Sequence, residues 1–375
     1  MQAFINDLSQ CIKDNAQKSV PIAVLGGGTK SFYGGTIVGE AVDMRPYAGI
    51  IEYESKELVL TVRAGTTLVE IEAAMDAENQ MLPFEPPHFG GASDDAKATI
   101  GGTVAAGLSG PRRAYAGSVR DFVLGTRIMN GRGEDLSFGG RVIKNVAGYD
   151  VSRLMTGAMG TLGVLLDLSF KVLPKPAAEV TLRFELDEAE AIQRMNEWAG
   201  KPLPLSASCW FDNTLWVRLS GAVSGVKAAQ EKMGGECVSS AGALHHERQP
   251  GSAFWASCRD HRHAFFQGND DSVPLLPHQP LWRLSVPATT PPLKLDSPQL
   301  IEWGGALRWV RGNLDAKALR SKVESVGGHA TLFRGGDKST GVFHPLQATL
   351  VPIHRHLKAA FDPANILNRG RLDNF

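Results

Sequence analysis

The stretch from residue 144 to 173, KNVAGYDVSRLMTGAMGTLGVLLDLSFKVL, constrains the fold more than any other, because it sets a glycine-spaced turn directly before an alternating strand. Gly157, Gly160 and Gly163 interrupt any helix that starts near Asp150, and Val164, Leu166, Leu168, Phe170 and Val172 then fall at every second position. That is the period of a half-buried β-strand. Backbone bare of side chains just ahead of a buried strand can approach a ligand closely, or can simply make a tight loop.

Two further turns have the same character. Residues 21–25 read as a short buried strand, and Gly26, Gly27, Gly28, Thr29, Lys30 and Ser31 follow it at once. Successive bare N–H groups with hydroxyls and one cation suit a phosphate or pyrophosphate; a plain structural turn is the alternative. The spacing is neither a Walker loop nor Gly-x-Gly-x-x-Gly opening a helix. The third turn, ATIGGTVAAG at 98–107, again lacks side chains where a flat ligand could lie against the backbone.

In order, a strand followed by GGGTKS, then ATIGGTVAAGLSG, GSVRDFVLGTRIMNGRGE and KNVAGYDVSRLMTGAMGTLGV resemble the FAD-binding domain of the vanillyl-alcohol oxidase or PCMH type. Within that superfamily they are most similar to the FAD-linked oxidases of 2-hydroxy acids, and FDPANILNRGR at 361–371 resembles the closing motif of the same group. With the short length, the resemblance points to the FAD-binding subunits of bacterial glycolate oxidases. It implies an α+β fold: a PCMH-type FAD-binding domain of two α+β subdomains over residues 1–175, an α+β cap over 176–345, and a segment at 346–375 that returns to the FAD domain. It also implies FAD extended between the two subdomains. Gly26, Gly27, Gly28, Thr29, Lys30 and Ser31 would hold the pyrophosphate. Thr99, Gly101, Gly102, Thr103, Gly107, Gly160, Thr161, Gly163 and Val164 would face pyrophosphate, ribitol and adenine; Ser118, Arg120 and Asp121 complete the cofactor-binding set, with Arg120 either contacting the flavin or merely pairing with Asp121.

Some members of the superfamily tether FAD to a histidine in the first Gly-rich loop; Thr29, Lys30 and Ser31 stand there, so non-covalent FAD is expected. Catalytic members carry HGHxGDGNxH in the C-terminal domain. The nearest stretch here is GGHATLFR at 327–334, with one histidine and no Asp-Gly-Asn, so no catalytic base is assigned. Arg369 stands where the closing motif usually has proline. The resemblance implies partners: a larger homologous FAD subunit as the main site of glycolate oxidation to glyoxylate, and an iron–sulfur subunit passing electrons onward. A self-sufficient oxidoreductase of another 2-hydroxy acid and a cofactor-free structural subunit are the alternatives.

Composition bounds these readings. With 39 basic and 39 acidic side chains the formal charge is zero, which argues against nucleic acid or an anionic membrane as partner. Cys11, Cys209, Cys237 and Cys258 form no Cys-x-x-Cys pair, so no iron–sulfur cluster or zinc ribbon is expected within the chain. The N-terminus has no basic segment followed by an apolar core, and no apolar run reaches 18 residues. A cytoplasmic protein is expected, associated with a membrane only through partners.

Periodicity predicts a helix at 2–18, strands at 21–25, 41–44, 49–54 and 58–63, and a helix from Thr67 to about Asn79 with Thr67 and Glu70 as a capping box. A strand is predicted at 120–129, closed by an Asn130-Gly131 hairpin turn. Beyond residue 176 a strand (178–186), helix (188–199), hairpin across Asp212-Asn213 and helix (222–233) predict a smaller α+β domain, compatible with a ferredoxin-like core. Residues 240–300 read as long loops, with short strands at 281–287 and 306–311, and a helix begins near Gln347. No internal repeat is visible. Arg112 and Arg113 beside Tyr115 could attract a carboxylate or be ordinary surface arginines. His245, His246, His261 and His263 are assigned a structural or surface role, as are His354 and His356, and no metal site is expected.

Overall fold

The computed structural model describes residues 1–90, 97–140, 150–242, 250–267 and 279–372. Residues 144–149 of the opening stretch, with His245 and His246, lie outside the described residues. Helix α1 (Gln2–Lys18) has Ile5, Leu8 and Ile12 on one face and buries them against Met44, Tyr47, Val164 and Leu166. Strand β1 (Ile22–Leu25) pairs in parallel with β2 (Glu40–Asp43). Strands β3 (Ile50–Glu54), β4 (Val59–Arg63), β5 (Val123–Met129), β6 (Asp135–Gly139) and β7 (Val164–Lys171) make a five-stranded sheet in the order β3-β4-β7-β5-β6, antiparallel throughout. Helix α2 (Leu68–Ala77) starts at Thr67, whose Oγ1 accepts from the Glu70 N–H at 3.2 Å.

Strand β7 is not half-buried. It is the central strand, and a register shift opposite Arg127 and Ile128 switches its faces. Val164 and Leu166 therefore pack on the α1 side, while Leu165, Leu168 and Phe170 enter the opposite core. The five alternate residues therefore do not share one face, and both faces of the strand are covered. The strand expected from residue 120 starts later, because a short helix, Val119–Phe122, precedes it. Nor is Asn130-Gly131 a two-residue turn: Met129 pairs with Asp135, and Asn130 Oδ1 accepts from the Arg132 and Glu134 N–H groups within a longer loop.

The second region is one eight-stranded antiparallel sheet. Its first half runs β8 (Ala178–Glu185), α3 (Glu188–Ala199), β9 (Leu205–Phe211), β10 (Thr214–Gly221), α4 (Val223–Met233) and β11 (Glu236–Gly242). Asp212 and Asn213 both take positive φ, as a tight hairpin turn requires. Helix α5 (Pro250–Arg259) follows, then β12 (Leu281–Ser285), β13 (Gln299–Glu302), β14 (Leu307–Arg311), α6 (Ala316–Glu324) and β15 (His329–Arg334). Thus α5 and β13 occupy a part of the chain expected to be mostly loop.

Strand order across the sheet is β11-β8-β10-β9-β13-β14-β12-β15. Numbered within each half, this is 4-1-3-2 followed by its mirror, 2-3-1-4. The first half is the β-α-β-β-α-β arrangement of a ferredoxin-like unit. The second repeats its strand order without the first helix, where Pro287, Pro291, Pro292 and Pro298 forbid one. The molecule therefore contains an internal duplication that the sequence does not display. The halves join where Cys209 of β9 stands opposite Glu302 of β13.

Helix α7 (Val351–Phe361) begins four residues beyond the expected start at Gln347. The chain after it runs back beside β1, where the Ile22 N–H donates to Ile366 O at 2.8 Å and the Asn368 N–H to Ile22 O at 2.9 Å.

Candidate functional site

The loop after β1 meets the segment before the short helix Ile100–Ala106 so closely that its glycines have no room for a side chain. A Cβ on Gly26 would stand 2.5 Å from Thr99 Oγ1, and one on Gly27 would collide with the Lys97 carbonyl. Gly28 needs φ +71. On the other side the loop is open. Among the described residues, the N–H groups of Gly26, Gly27, Gly28, Thr29 and Lys30 have no hydrogen-bond acceptor, and these residues line a 90 Å³ cavity. A run of unpaired donors at a cavity wall is a binding surface for an anion.

The second turn behaves differently. Residues 100–106 are helical, and the N–H groups of Ile100, Gly101, Gly102 and Thr103 are already taken by Thr66 O, Ala64 O, Thr99 Oγ1 and Thr99 O. Backbone contacts from Gly101, Gly102 and Thr103 to a ligand are therefore ruled out as far as N–H donation goes. The wall still matters, since Thr99, Gly102, Ala105 and Ala106 line the cavity, whereas Thr103 is buried on another side and lines none of the cavities of this site. Gly107 ends this helix at φ +65, where a Cβ would lie 2.9 Å from Gly157 Cα. The third turn zips against the same helix through Gly157 N–H to Val104 O and Met159 N–H to Ala105 O.

A 60 Å³ cavity between apolar Val24, Met44, Ala64 and Leu165 includes Gly26, Gly101, Gly160 and Gly163 in its wall. A third cavity, of 330 Å³, is lined by Arg120, Thr156, Gly157, Thr161, Lys358 and Arg369 among others. Asn368 lines all three. Its Oδ1 accepts from the Val24 N–H at 2.7 Å and its Nδ2 donates to Met159 O at 2.6 Å, so it ties the first Gly-rich loop to the last. Arg371 supports the same loop by donating to Gly35 O at 2.6 Å and to the carbonyls of Ser31 and Tyr33. Asn368 and Arg371 lie in the closing motif but are not among the site residues that the sequence resemblance implies. A polar Asn inside NILN was the available signal.

Several expected site residues do other work. Val164 is core and lines none of these cavities. Ser118 and Asp121 form a capping box on the short helix Val119–Phe122, with Asp121 Oδ2 accepting from Ser118 N–H at 2.7 Å and Oγ–H at 2.8 Å. Arg120 does not pair with Asp121; it donates to Thr156 O at 3.3 Å and faces the 330 Å³ cavity. The turn at 368–371 forms with Arg369 in place of proline, closed by Arg371 N–H to Asn368 O. Lys30 is buried. Its Nζ lies 3.4 Å from Thr29 Oγ1 and 5.6 Å from the Phe89 ring centre, and burial brings its pKa down to about 8. Arg112 is no free surface cation, because Glu85 and Glu179 hold it, and Arg113 stacks 4.4 Å over Trp303.

Residues 4–139 match the family model described as an FAD binding domain. The glycolate oxidase subunit GlcE of Escherichia coli (strain K12) is 45% identical over 99% of this chain and 97% of its own length. The chain belongs to the GlcE family of glycolate oxidase subunits. The glycolate oxidase subunit GlcD of Bacillus subtilis (strain 168) is 30% identical, but over 47% of this chain and 37% of that protein. Among solved structures, alkyldihydroxyacetonephosphate synthase superposes with a TM-score of 0.65 at 16% identity, covering 98% of this chain and 76% of that one. At that identity the match shows the fold alone.

In this GlcE-family chain the FAD-binding region and the eight-stranded region are joined by buried ion pairs. Glu85 Oε1 lies 2.8 Å from Arg218 and 3.2 Å from Arg112, and Arg112 also reaches Glu179 at 3.0 Å. Burial alone would raise the Glu85 pKa, but Arg218 and Arg112 outweigh it and hold the carboxyl at about 2. Trp303 Nε1 adds a bond across the junction to Gly110 O at 3.1 Å. His261 packs face to face on Phe266 at 3.8 Å, in the turn after α5. No group of three or more metal-binding side chains occurs among the described residues. None of their helices is long and apolar enough to cross a membrane.

Proposed function

We propose that this chain is the FAD-binding subunit of a multi-subunit glycolate oxidase, contributing a non-covalent flavin to the oxidation of glycolate to glyoxylate. The observation that carries the reading is the row of unpaired N–H groups from Gly26 to Lys30 at a cavity wall, in a chain with an FAD binding domain. Those donors and Lys30 would hold the pyrophosphate. The apolar cavity around Met44 and Leu165 fits a ring. The flavin, when bound, supplies two-electron acceptance; the protein supplies orientation and a dry setting.

The partners we propose are a larger homologous FAD subunit and an iron–sulfur subunit that carries electrons onward, with membrane association only through them. Family membership in an oxidase named by subunits supports a complex. Acid precipitation of the purified protein should release yellow flavin into the supernatant, because no histidine follows the glycines of the first loop. Flavin retained on the pellet would overturn the non-covalent assignment, and absence of any flavin would overturn the cofactor reading. Co-expression with the two partner subunits, against this chain alone, should restore glycolate-dependent dye reduction; full activity without them would refute the need for a complex.

A further inference from the structure

Lys30 stands apart from the other lysines drawn into the protein. Lys358 Nζ is spent on Asp362 at 2.6 Å and Thr161 O at 2.7 Å, and Lys338 Nζ donates to Phe32 O at 3.0 Å and Gly34 O at 2.8 Å. Lys30 is 9% exposed, yet among the described residues it forms no ion pair. Its Nζ has a long hydrogen bond, 3.4 Å to Thr29 Oγ1, and the Phe89 ring at 5.6 Å. Asp260 attracts the charge, but that carboxylate is held by Arg259 at 2.9 Å and Arg262 at 3.1 Å. A buried ammonium so poorly compensated gives up its proton readily, and about half of it is neutral amine near pH 8. A neutral lysine in an apolar setting is a nucleophile, with a lone pair that solvated lysines lack at the same pH.

The position of this amine gives it a use. Lys30 ends the row of unpaired N–H groups that starts at Gly26, and the whole row lines one 90 Å³ cavity. Such a row cradles an anionic group, a phosphate above all. A phosphate cradle and a nucleophilic amine on one wall are two halves of a site for a molecule that carries both a phosphate and a carbonyl. We propose that in the flavin-free chain Lys30 is a covalent modification site for small phosphate-bearing aldehydes, whose phosphate is held by the N–H groups of Gly26 to Thr29. The Nζ lone pair adds to the carbonyl carbon and forms the C–N bond. The carbonyl oxygen then leaves as water with both amine protons, giving an imine with no net oxidation or reduction. The size of the cavity favours short aldehydes over bulky ones. The adduct occupies the groups assigned above to the pyrophosphate, so modification and FAD loading exclude each other. That exclusion rests on the FAD reading; the imine does not.

The full chain, freed of flavin by dialysis against bromide, is incubated with glycolaldehyde phosphate and cyanoborohydride, which fixes the imine as a secondary amine. Peptide mass spectrometry then locates the adduct. Lys30 should carry it about tenfold or more above Lys56 and Lys227, which are exposed. Glycolaldehyde, the same carbonyl without the phosphate, should show much less preference for Lys30. Added FAD should suppress the Lys30 adduct and leave those at Lys56 and Lys227 unchanged. Pre-incubation with the aldehyde phosphate should slow FAD uptake by the wild type but not by Lys30→Arg, whose guanidinium keeps the charge and forms no imine. A Lys30 adduct no more abundant than the surface adducts, or an equal preference with glycolaldehyde, would overturn the proposal. That comparison is internal to the wild-type sample and stands even where Lys30→Arg fails to fold. A preferred Lys30 adduct that FAD leaves untouched sinks the FAD reading of the loop alone, and a chain that takes up FAD but never favours Lys30 sinks this one alone.

Discussion

Lys30 and Glu302 are both buried where their charged forms are poorly solvated, and their signs make opposite predictions. Lys30 has a folded pKa of about 8 against 10.5 when solvated, so the unfolded chain binds more protons between those values. Stability of the flavin-free protein should therefore rise with pH from about 8 to 10.5, and Lys30→Met should abolish that rise in thermal melts. The same variant should add up to about 3 kcal/mol at neutral pH while weakening FAD binding, since the cation that burial penalises is the one a pyrophosphate would use. Glu302 goes the other way. Burial raises its pKa from 4.5 to about 7, so its contribution is present below pH 4.5 and is lost as pH climbs through 7. Glu302→Gln keeps an acceptor for Trp309 Nε1 and should flatten that window; an unchanged melting profile between pH 5 and 8 would contradict the buried carboxyl.

At the scale of elements, the short helix Ile100–Ala106 is the part on which the proposed flavin groove leans. Thr99→Ala removes its cap and should cost about 1 kcal/mol in urea unfolding. Gly107→Ala should cost more than Gly157→Ala, although both have positive φ, because a Cβ at Gly107 meets Gly157 Cα at 2.9 Å while one at Gly157 meets nothing nearer than 4.0 Å. Equal costs would mean that backbone strain, and not the helix-to-turn contact, sets the penalty. These elements also show what the sequence could tell. Helix α3 at 188–199 was legible because Ala191, Ile192, Met195 and Trp198 recur on one face behind an Asp187 cap. The Val119–Phe122 helix was not, since one turn carries too little periodicity to stand out from the strand that follows. ATIGGTVAAG read as an open turn because two glycines mask a helix held by tertiary bonds from Thr66 and Ala64. The duplication in the cap survives as strand order and lacks one helix, so no repeated residues announce it.

For the whole molecule, the junction between the FAD-binding region and the cap is stitched by buried charge. Glu85→Gln leaves Arg218 and Arg112 short of a counter-ion and should destabilise by about 3 kcal/mol or more. With its carboxyl held at about 2, the wild type should keep this contribution above pH 4.5 and lose it as pH falls toward 2; acid unfolding of the variant should lack that component. Another long-range tie is the hydrogen bond from Val24 to Asn368, groups 344 residues apart in the chain. On the ribosome, the loop that follows β1 emerges early, but the residues that fix it are made long afterwards. If the loop holds flavin as proposed, a nascent or prematurely terminated chain lacks the clasp that shapes it and should not load the cofactor. A protein truncated after Phe361 should be recovered without flavin even when its N-terminal sheet is folded, and a truncated product that retains the yellow colour would show that the clasp is dispensable.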